Sequence, residues 1–156
     1  MADELPRFAA VATACGAALI AHALSVAAAA TSHASASARG SAPALYSKAQ
    51  AAAGAKLYAS TCVQCHGENL EGTVGPALRG PNLQRLAQKT KLSIGDFFNF
   101  MALQMPLNAP ASLPKDQYAS IMAYILERNG YPAGTKPLTY DTATHSSVVI
   151  TTYPGR

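Results

Sequence analysis

The sequence predicts an all-α domain, and three observations carry that prediction. From Lys115 to Asn129, apolar side chains recur at i, i+3, i+4 and i+7 (Tyr118, Ile121, Met122, Ile125), the stripe of an amphipathic helix. Glycine- and proline-rich loops separate this stretch from other helix-forming segments, and no alternating strand precedes residue 62. Third, the pentapeptide Cys62-Val63-Gln64-Cys65-His66 places two thiols and an imidazole between a helix-forming segment and a glycine-rich loop.

Read as C-x-x-C-H, the pentapeptide is an attachment site for c-type haem. Two intervening residues let both sulfurs reach one edge of the macrocycle as thioethers, and the following imidazole falls beneath the iron. Three other chemistries share C-x-x-C. A structural zinc site needs four ligands, and the remaining candidates, Cys15, His22, His33 and His145, are scattered singly. A thioredoxin-like pair belongs beside a βαβ pattern, which is missing here. A disulfide between residues three apart closes too small a loop to stabilise much. One covalently bound haem c is the expected cofactor, with a thiol pair or a metal site as the alternatives.

A chain of 156 residues suits one domain with something left over. Hydrophobic residues make up 49%, much of it alanine, and charged residues 13%, low for a cytosolic protein and ordinary for a small exported helical one. The net charge of +4 can steer the protein toward acidic partner surfaces. Its basic residues are dispersed and not interleaved with aromatics, so no nucleic acid is expected as a partner.

Residues 1–36 read as a signal peptide or N-terminal anchor. Phe8 to Ala30 contains no Asp, Glu, Lys or Arg, and small residues follow that offer cleavage after Ala30 or Ala36. The stretch is long enough to span a bilayer, but its strongly apolar members are few, which favours cleavage. The expected location is periplasmic, with a membrane as partner only if this segment is retained. Residues 37–46, mostly Ser and Ala with Pro43, read as a flexible linker.

Ser47 to Ser60 holds good helix formers broken by Gly54, and a glycine inside a helix costs about 1 kcal/mol relative to alanine. Close approach of a second helix is the expected reason. Gly67 to Gly80 is a loop with Gly72, Gly75 and Pro76 inside it. Asn82 to Lys91 follows as a short amphipathic helix with Leu83 and Leu86 on its apolar side. Ser93 is a good N-cap for a helix through Ile94, Phe97, Phe98 and Met101 to Gln104, ended by Met105-Pro106. After the helix of 115–129, Asn129-Gly130 and Pro132 enforce a stop. Ser147 to Thr152 could form a short strand, but a lone strand has nothing to pair with. Residues 139–156 are expected to form an extended, largely irregular tail, one that wraps the body or touches a partner.

The second axial position of the iron has four candidate donors, Met101, Met105, Met122 and His145. Met122 and Met101 sit in helical apolar stripes and are most simply core. His145 lies in the tail. Met105 stands at a helix end beside a stiff proline-rich loop, where a side chain can be presented without competing for a helix face, so His66 and Met105 are the expected metal ligands. The competing reading of Met105 is a gap-filling methionine.

These residues resemble the class I c-type cytochromes. In that family a Gly eight residues before the first Cys and an aromatic four before it pack against an apolar residue and an aromatic of the C-terminal helix; Gly54, Tyr58, Ile121 and Tyr124 fit. The resemblance implies a cytochrome c fold with crossing N- and C-terminal helices around one haem. It also implies that the Pro76 carbonyl accepts the Nδ1 proton of His66, and that Met105 is the distal ligand. A closer likeness, over residues 50 to 138, is to the haem domains and cytochrome subunits associated with quinoprotein alcohol dehydrogenases. Gly72-Thr73-Val74-Gly75-Pro76-Ala77-Leu78-Arg79-Gly80, Met105-Pro106 and Asn129-Gly130-Tyr131-Pro132-Ala133-Gly134 carry it. Ala111 departs from it, standing where Gly is commonly seen.

The organisation read from the chain is thus 1–36 signal or anchor, 37–46 linker, 47–138 cytochrome c domain and 139–156 tail. The expected function is single-electron transfer in a periplasmic respiratory chain, not catalysis. A dehydrogenase partner is the expected donor, and an oxidase or another cytochrome the acceptor. The alternative is a five-coordinate haem that binds small gases or peroxide. Arg79, Arg85, Lys89 and Lys91 lie in a stretch without acidic residues from Gly72 to Gly95. They read equally as a docking surface for an acidic partner or as a solvated helix face.

Overall fold

The computed structural model describes residues 42–153, so the predicted export segment lies outside the described residues. The unit that contains them starts with a two-residue strand β1 (Tyr46–Ser47), followed by helices α1 (Lys48–Thr61), α2 (Val63–His66), α3 (Gly80–Thr90), α4 (Ile94–Gln104) and α5 (Lys115–Arg128). Strand β2 (Ala133–Gly134) and helix α6 (Tyr140–Thr144) complete it. The fold is the cytochrome c fold, all-α but for the β1–β2 pair. No helix among the described residues is long and apolar enough to cross a membrane.

Helix α1 begins where Ser47 Oγ accepts from Gln50 N at 3.3 Å, and its main partner is α5. Gly54 makes the crossing possible. A Cβ built there would lie 1.8 Å from the Ser120 carbonyl oxygen, so the two backbones touch where no side chain fits. One turn on, the rings of Tyr58 and Tyr124 pack with centroids 5.3 Å apart. Ile121, Met122, Ile125 and Leu126 point from α5 into a core shared with Phe98, Ile94, Leu83 and Leu70. This is the face the helical stripe predicts.

In α3 the buried pair is Leu83 with Ala87, and Leu86 is half-exposed. The i, i+4 spacing faces the core more directly than i, i+3 does in this short helix. Helix α4 opens on a capping box: Asp96 N donates to Ser93 Oγ and Ser93 N donates to Asp96 Oδ2, each at 3.0 Å. The Ser93 hydroxyl, donating to Asp96 Oδ2 at 2.6 Å, and then the Ser93 N–H hold the Asp96 carboxyl below its ordinary value.

The segment after residue 138 differs from the extended, irregular tail expected of it. Thr139 and Thr142 cap α6 reciprocally, Ala143 is buried, and Tyr140 packs edge-on against Phe98 at 5.0 Å. The strand-like run after it does have a partner. Ile94 N donates to the Val148 carbonyl at 2.7 Å, Ile150 N to that of Leu92 at 3.0 Å, and Ser93 bridges Val149 in antiparallel sense. The partner is the short extended stretch before α4, which sequence patterning does not reveal.

The described end of the predicted linker, 42–46, is also engaged. Ala42 and Tyr46 are buried, β1 pairs in parallel with β2, and Tyr46 Oη donates to the Tyr131 carbonyl at 2.7 Å. Burial and then Glu127 push the Tyr46 phenol up to about 12. Gln50 clasps the far segment, its side chain bonding both the N–H and the carbonyl of Leu138.

Candidate haem site

Cys62 closes α1, its N–H donating to the Tyr58 carbonyl at 2.8 Å. The chain then turns once more, with the N–H groups of Cys65 and His66 both donating to the Cys62 carbonyl. Cys62 and Cys65 therefore stand three apart on a single helical turn, on one side of it. Gly67, at φ 79°, ends the turn in a conformation that favours glycine. Tyr58 Oη anchors this end by donating to the Gly67 carbonyl at 2.7 Å. That bond and the phenol's burial suit a neutral Tyr58, whose pKa burial raises first, with Cys62 next.

The glycine-rich loop folds back onto the turn. The Cys65 carbonyl accepts from Gly75 N at 2.8 Å, from Thr73 N at 3.1 Å and from Thr73 Oγ1 at 2.7 Å. Gly72 N donates to the His66 carbonyl at 2.8 Å. This zipper brings the Pro76 carbonyl to 2.8 Å from His66 Nδ1. Gly75 is required for the approach, because a Cβ there would sit 2.8 Å from His66 Cε1.

Met105 is placed separately. It caps α4, with its N–H donating to the Met101 carbonyl at 3.0 Å. Its own carbonyl accepts from Tyr118 Oη at 2.6 Å, and its side chain is half-buried. No hydrogen bond links it directly to the cluster from Cys62 to Pro76. Met101 and Met122 are buried in the core, as their helical positions predict. His145 is largely exposed and pairs with Asp141 in its own helical turn. Ala111 adopts φ 57°, the left-handed region that favours glycine.

The residues present fit a haem better than the alternatives. Among the described residues no three His, Cys, Asp or Glu side chains converge as a metal cluster. The Cys62 thiol is pushed up to about 11, by burial first and Cys65 second. A redox-active C-x-x-C lowers a thiol pKa instead. A macrocycle several ångströms across takes sulfurs at its edge and an imidazole at its centre, which is the donor set on this turn.

Fold and site together have the form of a cytochrome c domain, which implies a covalently bound haem c; Cys62 and Cys65 are compatible with its attachment motif. Residues 49–125 match the family model described as cytochrome C oxidase, cbb3-type, subunit III. The chain is also similar to the crystal structure of the sulfane dehydrogenase SoxCD from Paracoccus pantotrophus, at 25% identity and a TM-score of 0.46. That likeness covers 60% of this chain and half the length of the other. No curated protein matches the chain.

Several contributors to the site escape sequence reading. Tyr118 reads as one more member of an apolar stripe, although a buried phenol needs a hydrogen-bond partner. Outside the family likeness, Thr73 and Gly75 read as loop residues and Asn129 as a helix stop, with no sign of the hydrogen bonds they make.

Proposed function

We propose that this chain is a monohaem electron carrier of a periplasmic respiratory chain. Cys62 and Cys65 would hold the haem as thioethers, and His66 and Met105 would supply the ligands to its iron. The observation that carries this reading is the 2.8 Å contact between His66 Nδ1 and the Pro76 carbonyl. A carbonyl can only accept, so Nδ1 carries the proton and Nε2 keeps its lone pair for a metal. The same hydrogen bond fixes the ring and raises its basicity.

The haem supplies reversible one-electron exchange at iron. The chain sets where that exchange takes place and how readily. Met105 offers a soft thioether from a backbone held by α4 and Tyr118, which favours the ferrous state and raises the potential. With His66 and Met105 both bound to iron, neither a gas nor a peroxide would find an open position.

The stretches shared with cytochrome subunits of quinoprotein dehydrogenases support a dehydrogenase as donor, with an oxidase or another cytochrome as acceptor. Arg85, Lys89 and Lys91 are exposed and Arg79 half-buried, which suits docking to an acidic partner surface. Residues 1–36 serve export or anchoring, and 47–138 form the haem-binding domain.

Optical spectra of the purified protein in both oxidation states, with carbon monoxide added to the reduced form, test the reading. A low-spin spectrum unchanged by carbon monoxide is expected. Rapid carbon monoxide binding overturns the Met105 assignment and favours a five-coordinate site. Colour that acid–acetone extracts from the polypeptide overturns the covalent attachment.

A further inference from the structure

Asn129 joins three separate segments of the chain with no polar atom to spare. It is fully buried. Its Nδ2 donates to the Leu78 carbonyl and to the Ile125 carbonyl, both at 2.9 Å. Its Oδ1 accepts from Thr152 Oγ1 at 2.9 Å, and its backbone carbonyl accepts from Tyr153 N at 2.8 Å. A helix stop requires none of the side-chain bonds. They join the end of α5, the C-terminal segment and the glycine-rich loop.

Leu78 is the link to the site. Its N–H donates to the Leu70 carbonyl at 2.9 Å, so both polar groups of this residue are taken, one by the loop itself and one by Asn129. Two residues earlier lies Pro76, whose carbonyl holds His66 Nδ1. On the other side, the C-terminal segment is pinned against Asn129 by several contacts. Thr151 N donates to Tyr131 Oη at 3.0 Å, Tyr153 packs edge-on against Tyr131 at 4.9 Å, and Ile150 is buried. Gly130, at φ 82°, admits this strap: a Cβ there would meet the Tyr153 carbonyl oxygen at 2.3 Å.

We propose that Asn129, held by the strap of residues 150–153, is a positioning residue for His66, acting through the Leu78 carbonyl to hold the Pro76 carbonyl against the imidazole. The proposal rests on His66 being the proximal iron ligand. Loosening Asn129 lets the 76–78 segment drift, lengthens the Pro76–His66 hydrogen bond and makes the imidazole a weaker donor. A weaker donor stabilises ferric iron less, so the midpoint potential rises.

The test uses the full-length holoprotein and reads the midpoint potential together with the paramagnetically shifted NMR signals of the His66 ring in the ferric state. Asn129→Ala is expected to raise the potential and move those signals. Thr152→Val, which removes a single bond to Asn129 Oδ1, should move both the same way by less, and Thr152→Ser should restore them. Thr139→Ala, which uncaps α6 away from Asn129, serves as a control that lowers the melting temperature without either change. If Asn129→Ala does not fold, Thr152→Val against Thr152→Ser decides. Variants at Asn129 and Thr152 that melt earlier with unchanged potential and ring signals overturn the proposal, leaving the strap purely structural. Failure of the underlying site reading is separate and shows in the unmodified protein, as an absence of ligated-imidazole signals.

Discussion

Tyr118 Oη donates a 2.6 Å hydrogen bond to the Met105 carbonyl and accepts a longer one from Leu113 N at 3.4 Å, tying α5 to both ends of the proline-rich loop. The phenol ring is buried while its hydroxyl serves the loop. Helix α5 thus reaches Met105 near its start and, through Asn129, the His66 loop just past its end.

Removing that hydroxyl with Tyr118→Phe should cost about 1 kcal/mol of stability, the net value of a partly buried hydrogen bond. The loop then holds Met105 less firmly. Reduced Tyr118→Phe is expected to bind carbon monoxide measurably where the unmodified protein resists it. Equal resistance in both proteins would separate the hydrogen bond from ligand positioning.

Met105→Ala should open the sixth coordination position, so that the reduced protein binds carbon monoxide and the midpoint potential falls with loss of the thioether. Met101→Leu, in the buried face of α4, should leave the spectrum unchanged. A spectrum altered by Met101→Leu and not by Met105→Ala would exchange the roles of the two methionines.

Gly54→Ala gains about 1 kcal/mol of helix propensity but places a methyl group 1.8 Å from the Ser120 oxygen. Overpacking against backbone of this kind costs on the order of 1–3 kcal/mol or more, so α1 and α5 must separate. Thermal unfolding of the holoprotein should show a net loss of stability. A higher melting temperature would mean that the crossing can shift to accommodate the methyl group.

The capping box of α4 makes stability depend on acid. Asp96 has a folded pKa below 3.8 because Ser93 hydrogen-bonds its carboxylate. A depressed carboxylate contributes stability that is complete above the unfolded pKa and lost as pH falls through the lower, folded one. The stability difference between the unmodified protein and Ser93→Ala should therefore be constant near neutrality and shrink below about pH 4. Melting curves over that range check it, and a difference that grows on acidification contradicts it.

The helical part of the chain is of a size at which domains are marginally stable, and a haem supplies missing interior. Protein made without haem attachment should be largely unstructured by circular dichroism. A compact, cooperatively melting form of that protein would show that the polypeptide core suffices.

The boundaries of α1, α4 and α5 are legible because each is signalled locally. Ser47 and Ser93 are side chains that cap a helix start, and Met105-Pro106 and Asn129-Gly130 are backbone stops. The reading of Gly54 as a close-approach residue followed from its cost inside a helix. Leu86 was misread because an apolar residue three positions from Leu83 does not say which of its neighbours faces the core. Helix α6 and the strand partner in the tail are not legible, because pairing between Val148–Ile150 and Leu92–Ile94 joins segments more than fifty residues apart, and polar Thr- and Ser-rich composition does not encode that contact.

By itself, then, the amino-acid order determined the four longer helices and the candidate attachment motif, because caps, helical stripes and the C-x-x-C-H spacing are properties of neighbouring residues. Only the tertiary structure decided which groups hold the backbone around His66 and Met105 in place. Tyr118, Thr73, Leu78 and Asn129 act by hydrogen bonds to backbone atoms, and such partners are chosen by three-dimensional proximity, which no local pattern of side chains specifies.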